Sequence, residues 1–361
     1  MALEFWDRLP DGELVAPFPN DWTMFAPAGA ATATLRVAGV ELPTLPPMRL
    51  PTTTDVTFPV DVVWTWVDGD DPQRRTSRDA REGADTRREA AGDARFRSRD
   101  ELRYSMRSVF AHAPWVRTLH LVTAGQRPDW LVDHPQVRVV DHREILPADA
   151  LPTFNSQAIE TALHKVPDLA EHFVYLNDDV FLARPLEPTA FFSAGGSFAA
   201  FVGDTTIGLP ELAYKPFLHA AHNNRRLLEE SLGVTITRVI AHTPHPHRVS
   251  VLREICERFA EAVEATARSP FRSPDDVSLL SSLAQHYGLA TGTAYVGHAE
   301  HRFVDLSNAR VEQQLRRLRA RDLDFFCVGD HHDFALDTEE VDAMLTDFLA
   351  EYFPVKAPWE R

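Results

Sequence analysis

The chain has 361 residues, 44% of them hydrophobic and 25% charged, enough for one large core with additions and too apolar for global disorder. Its 53 acidic and 37 basic residues give a net charge of −16, which argues against nucleic acid as a partner while leaving room for a local anion site. Cys256 and Cys327 are its only cysteines, so neither a disulfide framework nor a cysteine metal cluster is available, and both read as reduced, buried thiols.

No basic start leads into an apolar signal segment, and no apolar run is long enough to cross a bilayer. The expected location is cytoplasmic, with peripheral attachment at the inner face of the membrane left open. Phe5, Trp6, Phe18, Trp22 and Phe25 suggest a small satellite core near the start. Residues 32–40 read as a short strand and turn, and residues 42–54 as a stiff connector. Residues 1–58 are therefore expected to form an extension with a small β element, and the main domain to follow.

The first strand of that domain, Val60 to Val67, runs into Asp68-Gly-Asp-Asp-Pro72, either a polar turn or the mouth of a site. Residues 73–99 carry arginines and acids without an apolar face and read as a mobile loop or a solvated helical cover. From Asp100 to Phe110 the spacing is helical, with Leu102, Met106 and Phe110 four apart. Arg103 and Arg107 share a neighbouring face and could reach one anion. Thr118–Thr123 and Val137–Asp141 read as further strands. Asn155 or Ser156 caps a helix expected to run to about Lys165, where Glu160 and His164 form either an acid/base pair or a helix-stabilising one.

The run from Phe173 to Leu176 is a buried strand that ends in Asn177-Asp178-Asp179. Parallel α/β sheets bind ligands beyond the carboxyl ends of their strands, and paired carboxylates suit Mg²⁺ or Mn²⁺ facing phosphates. The same three residues also suit a turn or a helix cap. Farther on, His219, His222, Asn223, Asn224 and Arg225 read as a polar patch or as solvated turn residues. His242-Thr-Pro-His245-Pro-His247-Arg248 reads as a stiff extended loop. Its spacing suits one proton-transferring histidine, His242, with Arg248 toward phosphate, better than a zinc site.

Asp275 and Asp276 precede another apolar helix and serve either as caps or in catalysis. Phe325 to Gly329 opens into Asp330-His331-His332-Asp333, a second acidic end able to complete a metal site. A helix from Thr338 closes the chain, with Trp359 as an apolar anchor. No glycine-rich dinucleotide fingerprint, phosphate loop or serine-hydrolase elbow is present.

Four stretches together resemble the Stealth family of capsule and cell-wall polysaccharide hexose-1-phosphate transferases. They are Asp61 to Pro72; Arg95 to Ser108 continued through His112–Trp115, Leu151–Ser156 and Tyr175–Asp179; His242–Arg248 with Phe271–Asp276; and Phe326–His331 with the helix that follows. The resemblance covers about residues 59–356, the expected catalytic domain, and leaves 357–361 as a tail.

It implies a glycosyltransferase-A-like α/β fold with a mostly parallel sheet and helical additions, similar to the catalytic core of the eukaryotic N-acetylglucosamine-1-phosphotransferase. The implied reaction moves a sugar-1-phosphate from a UDP-sugar donor to a glycan or polysaccharide hydroxyl and releases UMP. Asp178, Asp179 and Asp330 are then expected to hold Mg²⁺ or Mn²⁺. Arg103, Arg107 and Arg248 would face phosphates, with Asp68 near the uridine or ribose and Asn155 in the donor site. His242 aided by Asp276, or alternatively His331 or Asp178, would move the proton.

A membrane-associated polysaccharide assembly machinery and a second copy of the chain are further partners left open. Gly329 and Pro274 depart from the family pattern, which bears on donor bonding and metal geometry. Ordinary glycosyl transfer releasing UDP, and noncatalytic binding of sugar nucleotides in an assembly protein, are the competing readings.

Overall fold

The computed structural model describes residues 4–20, 22–37, 40–69, 71–81, 99–209, 216–329 and 337–361. The chain divides into two units, residues 1–57 and 58–361. In the first, Asp7–Arg8, Leu14–Val15 and Phe25–Ala26 form a three-stranded antiparallel sheet, and Ala33–Val37 pairs antiparallel with Val40–Thr44. Most of the aromatics expected to build a satellite core do not: Phe5 is 81% exposed, Phe18, Trp22 and Phe25 are also exposed, and Trp6 is half-buried. The small sheet instead buries Ala16 and Ala26.

The second unit is α/β. Its largest sheet has the order His245–Arg248, His172–Asn177, Val60–Thr65, Leu119–Thr123, Val137–Asp141. The last four strands run parallel, and His245–Arg248 lies antiparallel along one edge. Val60–Thr65 and His172–Asn177 are buried along almost their whole length, as near-continuous β-branched and aromatic runs should be when both faces of a sheet are covered.

From Val60–Thr65 the chain builds the two strands on one side, then crosses to lay His172–Asn177 on the other. The connections therefore diverge where Thr65 and Asn177 lie side by side, and such a divergence opens a crevice beyond the carboxyl ends of the strands.

The helix Glu101–His112 is bolted to the sheet by side chains. The Trp64 indole Nε1 donates to Ser105 Oγ at 2.9 Å, Ser105 Oγ donates to the Val180 carbonyl at 2.6 Å, and the Leu182 N–H donates to Ser108 Oγ at 3.1 Å. Leu102 and Met106 are buried as their spacing requires, whereas Phe110 is exposed and touches Trp359 edge-on at 5.6 Å.

A second layer is a three-stranded sheet in which Phe325–Gly329 pairs antiparallel with Val180–Leu182 and parallel with His301–Asp305. The helices Val311–Leu318 and Thr338–Tyr352 cover it, burying Phe181, Phe326, Phe348, Tyr352 and Phe353 in one cluster. Residues 357–361, expected as a tail, are integral to this unit. Trp359 is 1% exposed, its carbonyl accepts from the Val132 N–H at 2.9 Å, and the Arg361 N–H donates to the Trp130 carbonyl at 3.0 Å. Both cysteines are free thiols. Among the described residues no helix is long and apolar enough to cross a membrane.

Candidate active site

At the divergence of the sheet lies a cavity of about 400 Å³. Its sheet side is formed by Thr65, Trp66 and Val67 after one strand and by Asn177, Asp178 and Asp179 after its neighbour. The Tyr175 hydroxyl ties the two strand ends together, donating to Asn177 Oδ1 at 2.8 Å and lying 3.0 Å from Thr65 Oγ1. The strand ends are thus fixed before any ligand arrives.

Burial, then the charges of Asp179 and Glu101, push the Asp178 carboxyl well above its ordinary value. Asp178 and Asp179 are only half-buried by surface, because they border the cavity from a deep position. Adjacent carboxylates that disfavour each other's charge suit a divalent cation. Mg²⁺ takes one or two carboxylates from a protein and completes its octahedron with water and substrate phosphate. Asp178 and Asp179 fit that donor set, and Mn²⁺ accepts the same oxygens.

Among the described residues no three His, Cys, Asp or Glu side chains gather as a metal cage. The strand Phe325–Gly329 ends beside this pair, with the Val328 N–H donating to the Asp179 carbonyl at 3.0 Å. A Cβ at Gly329 would meet the Phe303 ring at 2.8 Å and approach Asp179 Oδ2 at 4.0 Å, so glycine here follows from crowding. Asp330 and His331, expected to complete the site, lie outside the described residues, as do Asp70, Arg95 and Arg97.

His242 borders the cavity, is exposed, and sits 5.3 Å from the Phe303 ring. His245 also borders it but is buried; burial and the nearby His242 hold its pKa down at about 3, so it stays neutral. His247 is fully buried beside Phe173 and Phe198, and burial keeps it uncharged as well. The expected loop is therefore an edge strand whose two histidines are buried, preceded by one that is open to the cavity. Proline is tolerated there because an edge strand has N–H groups that need no ladder partner.

Asn155 is the N-cap of Ser156–Glu160, its Oδ1 accepting from the Gln157 N–H at 3.1 Å. Its Nδ2 donates to Asp276 Oδ2 at 2.8 Å and to the carbonyls of Ser269 and Phe271 at 3.3 Å each. Asp276 also accepts from the Ser273 N–H at 2.8 Å and is buried, and burial raises its pKa. The structure brings these two residues together as a loop clamp; neither borders the cavity.

Glu160 and His164 do not pair. Glu160 borders the cavity and accepts from the Leu280 and Ser281 N–H groups, each at 3.2 Å, and from Ser281 Oγ at 3.1 Å. It thereby caps a π-helical turn, Leu279–Leu283, which follows the Asp276 clamp. His164 lies in a separate 3₁₀ turn, 3.9 Å from the Cys256 thiol. Asn223 donates to the Pro274 and Asp276 carbonyls, Asn224 to Ser278, and Arg225 to Gly208 and Ile236. That polar patch fastens loops.

The three arginines expected at phosphate lie elsewhere. Arg103 and Arg107 do converge on one anion, the buried carboxylate of Glu360, at 2.7 Å each, and Arg107 Nη1 also donates to the Phe353 carbonyl at 2.9 Å. Arg248 is opposite His172, at the end of that strand remote from Asn177, roughly 16 Å away along it. There its Nε donates to Glu171 at 3.2 Å. The Asp68 backbone is clasped on both sides by the Gln126 amide at 3.0 Å, and Asp68 does not border the cavity.

Among the described residues, the arginines that border it are Arg74 and Arg272. Arg272 Nη2 donates to Ser156 Oγ at 2.9 Å. Arg74, on the helix Pro72–Arg81, donates through Nη2 to the Thr153 carbonyl at 2.8 Å and lies over the Phe154 ring at 4.6 Å. Arg272 stood in a stretch already singled out, between Phe271 and the two acids. Arg74 stood in a charged run with no period to mark it. Glu101 was also missed: it is buried, and its charge acts on Asp178.

Sequence comparison matches the conserved regions of Stealth proteins in order: region 1 at residues 58–86, region 2 at 95–199, region 3 at 241–289 and region 4 at 316–361. Similar curated proteins include an exopolysaccharide phosphotransferase of Streptomyces coelicolor, 43% identical over 99% of this chain and 40% of that protein. A second from the same organism is 44% identical over 99% of this chain and 64% of its own length. The exopolysaccharide phosphotransferase CpsY of Mycobacterium leprae is 39% identical over 100% of this chain and 68% of its length. The chain thus spans well under the full length of these relatives.

Among solved structures, galactosyltransferase LgtC with donor and acceptor sugar analogues aligns over 80% of this chain and 95% of its own, at 11% identity and a TM-score of 0.37. The bifunctional glycosyltransferase WbbM aligns over 84% of this chain and 50% of its own, at 11% identity and a TM-score of 0.37.

Proposed function

The chain belongs to the Stealth family, and on that premise we propose that the cavity transfers a sugar-1-phosphate from a UDP-sugar to a hydroxyl of a glycan or exopolysaccharide. The observation that carries this reading is the acidic pair, Asp178 and Asp179, opening at the divergence of the sheet into a cavity that also receives Arg272 and His242. We take the core to be glycosyltransferase-A-like, a reading supported by the strand order and by acids just beyond a central parallel strand.

In the proposed reaction the acceptor oxygen attacks the sugar-proximal phosphorus. The bond from that phosphorus to the bridging oxygen breaks, UMP leaves with the electron pair, and the product is a phosphodiester. Mg²⁺ or Mn²⁺ held by Asp178 and Asp179 would supply positive charge for the phosphoryl oxygens. Arg272 adds a planar fork of donors on another wall. His242, the exposed histidine of the cavity, is assigned to accept the hydroxyl proton, a task suited to an imidazole near neutral pH. His245 is held neutral and shapes the wall behind it.

The test is a panel of UDP-sugars with short glycan acceptors, Mg²⁺ or Mn²⁺ present, with nucleotide product and acceptor linkage identified by mass spectrometry. UMP with a phosphodiester is expected. UDP with a direct glycosidic linkage would replace this mechanism by ordinary glycosyl transfer, and saturable donor binding without turnover would replace it by a binding role.

A further inference from the structure

Arg74 is built into the cavity wall in an unusual way. Its guanidinium stacks 4.6 Å from the centre of Phe154, and Phe154 in turn stacks on Phe271, with centroids 5.4 Å apart and planes 17° from parallel. Both rings are buried. The layer is pinned by backbone and amide bonds: the Phe154 N–H donates to the Pro270 carbonyl at 2.8 Å, and Asn155 Nδ2 to the Phe271 carbonyl. One edge of the guanidinium is spent on the Thr153 carbonyl at 2.8 Å. The Nε atom is buried and has no hydrogen-bond partner among the described residues.

A buried donor without an acceptor is costly to the fold, more so when the group is charged. Burial lowers the Arg74 pKa, with Asp71 opposing, to about 10, so the group remains cationic at neutral pH. The chain therefore holds a cation at the cavity wall in one orientation.

We propose that Arg74 is a phosphate-recognition residue, its guanidinium presented at the cavity wall to a phosphoryl oxygen of a diphosphate bound there. The inference rests on the reading of the cavity as a nucleotide-sugar site and adds to it the residue that grips the diphosphate. A planar guanidinium fixed against an aromatic face presents its donors in one orientation, which suits a diphosphate better than a mobile ammonium would. The aromatic platform beneath it removes the rotamer cost of ordering that side chain on binding.

Calorimetric titration of the whole chain with inorganic pyrophosphate, UDP and ADP tests this, using the parent protein, Arg74→Gln and Arg74→Lys. Loss of one charge-assisted bond should weaken pyrophosphate and UDP together by about tenfold or more in Arg74→Gln. Arg74→Lys should recover only part of that loss, because it keeps the charge without the fork. Circular dichroism and thermal midpoints establish that the variants are folded. A Phe154→Leu variant, which leaves Arg74 in place but removes its platform, should weaken the same two ligands by a smaller factor.

Pyrophosphate and UDP affinities unchanged in both Arg74 variants would overturn the inference and leave the nucleotide-sugar reading standing. Arg74-dependent binding of pyrophosphate with equal affinity for UDP and ADP would uphold the anion site and count against the uridine reading. No binding of pyrophosphate or UDP to the parent protein would overturn the inference directly.

Discussion

Two acids at opposite ends of the same sheet are treated in opposite ways. At the amino end, Asp61 accepts from Arg117 at 2.6 and 2.8 Å, from the Thr118 N–H at 3.2 Å and from the Ala170 N–H at 2.8 Å, with His120 Nε2 at 3.2 Å. Burial alone would raise its pKa, but bonds from His120, Arg117 and Ala170 outweigh burial and hold it at about 2. At the carboxyl end, burial raises Asp178, and the neighbouring acids Asp179 and Glu101 raise it further. A carboxylate that is fully satisfied by its own chain stabilises the fold. Where neighbouring acids add to burial, as at Asp178, the charged carboxylate is disfavoured, and a cation would relieve that.

The contrast can be broken by substitution. Asp61→Ala should cost about 3 kcal/mol of unfolding free energy, because it strands a buried histidine and a buried N–H as well as an arginine. Chemical denaturation measures this, and a loss too small to resolve would mean that the amino-end acid is as dispensable as a surface one.

Glu360→Ala should cost about 2 kcal/mol, since two arginines lose their common acceptor, while leaving pyrophosphate affinity unchanged. A fall in that affinity matching the fall in stability would return Arg103 and Arg107 to the phosphate role.

A comparable effect of on the order of 2 kcal/mol is expected from pH. The folded pKa of Asp61 lies below its ordinary value of 3.8, so its contribution is complete above about pH 4 and is lost as pH falls through about 2. Urea unfolding from pH 5 to pH 2 should show a loss that Asp61→Asn does not share.

Much of the fold was legible because it is local. Val60–Thr65, Leu119–Thr123, Val137–Asp141 and His172–Asn177 are short apolar runs with turn residues after them, and all four are strands. The helices at Glu101–His112 and Thr338–Tyr352 follow the spacing of their apolar residues. The strand ends at Thr65 and Asn177 lie side by side because parallel strands place like ends together.

What failed was non-local. Arg103 and Arg107 do share an anion, but it is a carboxylate more than 250 positions later in the chain. The proline-separated histidines became an edge strand because a neighbouring strand was there to pair with them. Arg74 gained its place through Phe154 and Thr153, which no spacing in its own segment announces.

If the carboxyl-end pair trades stability for a cation, Asp178→Asn should reveal it through the thermal midpoint. With chelator present, the variant should melt a few degrees above the parent, roughly 1 kcal/mol, because it removes a carboxyl whose charge burial and the neighbouring acids disfavour. On titration with Mg²⁺ or Mn²⁺ the parent should rise in midpoint and overtake the variant, which should respond little. A variant that melts lower than the parent without metal, and gains as much as the parent with it, would contradict the account.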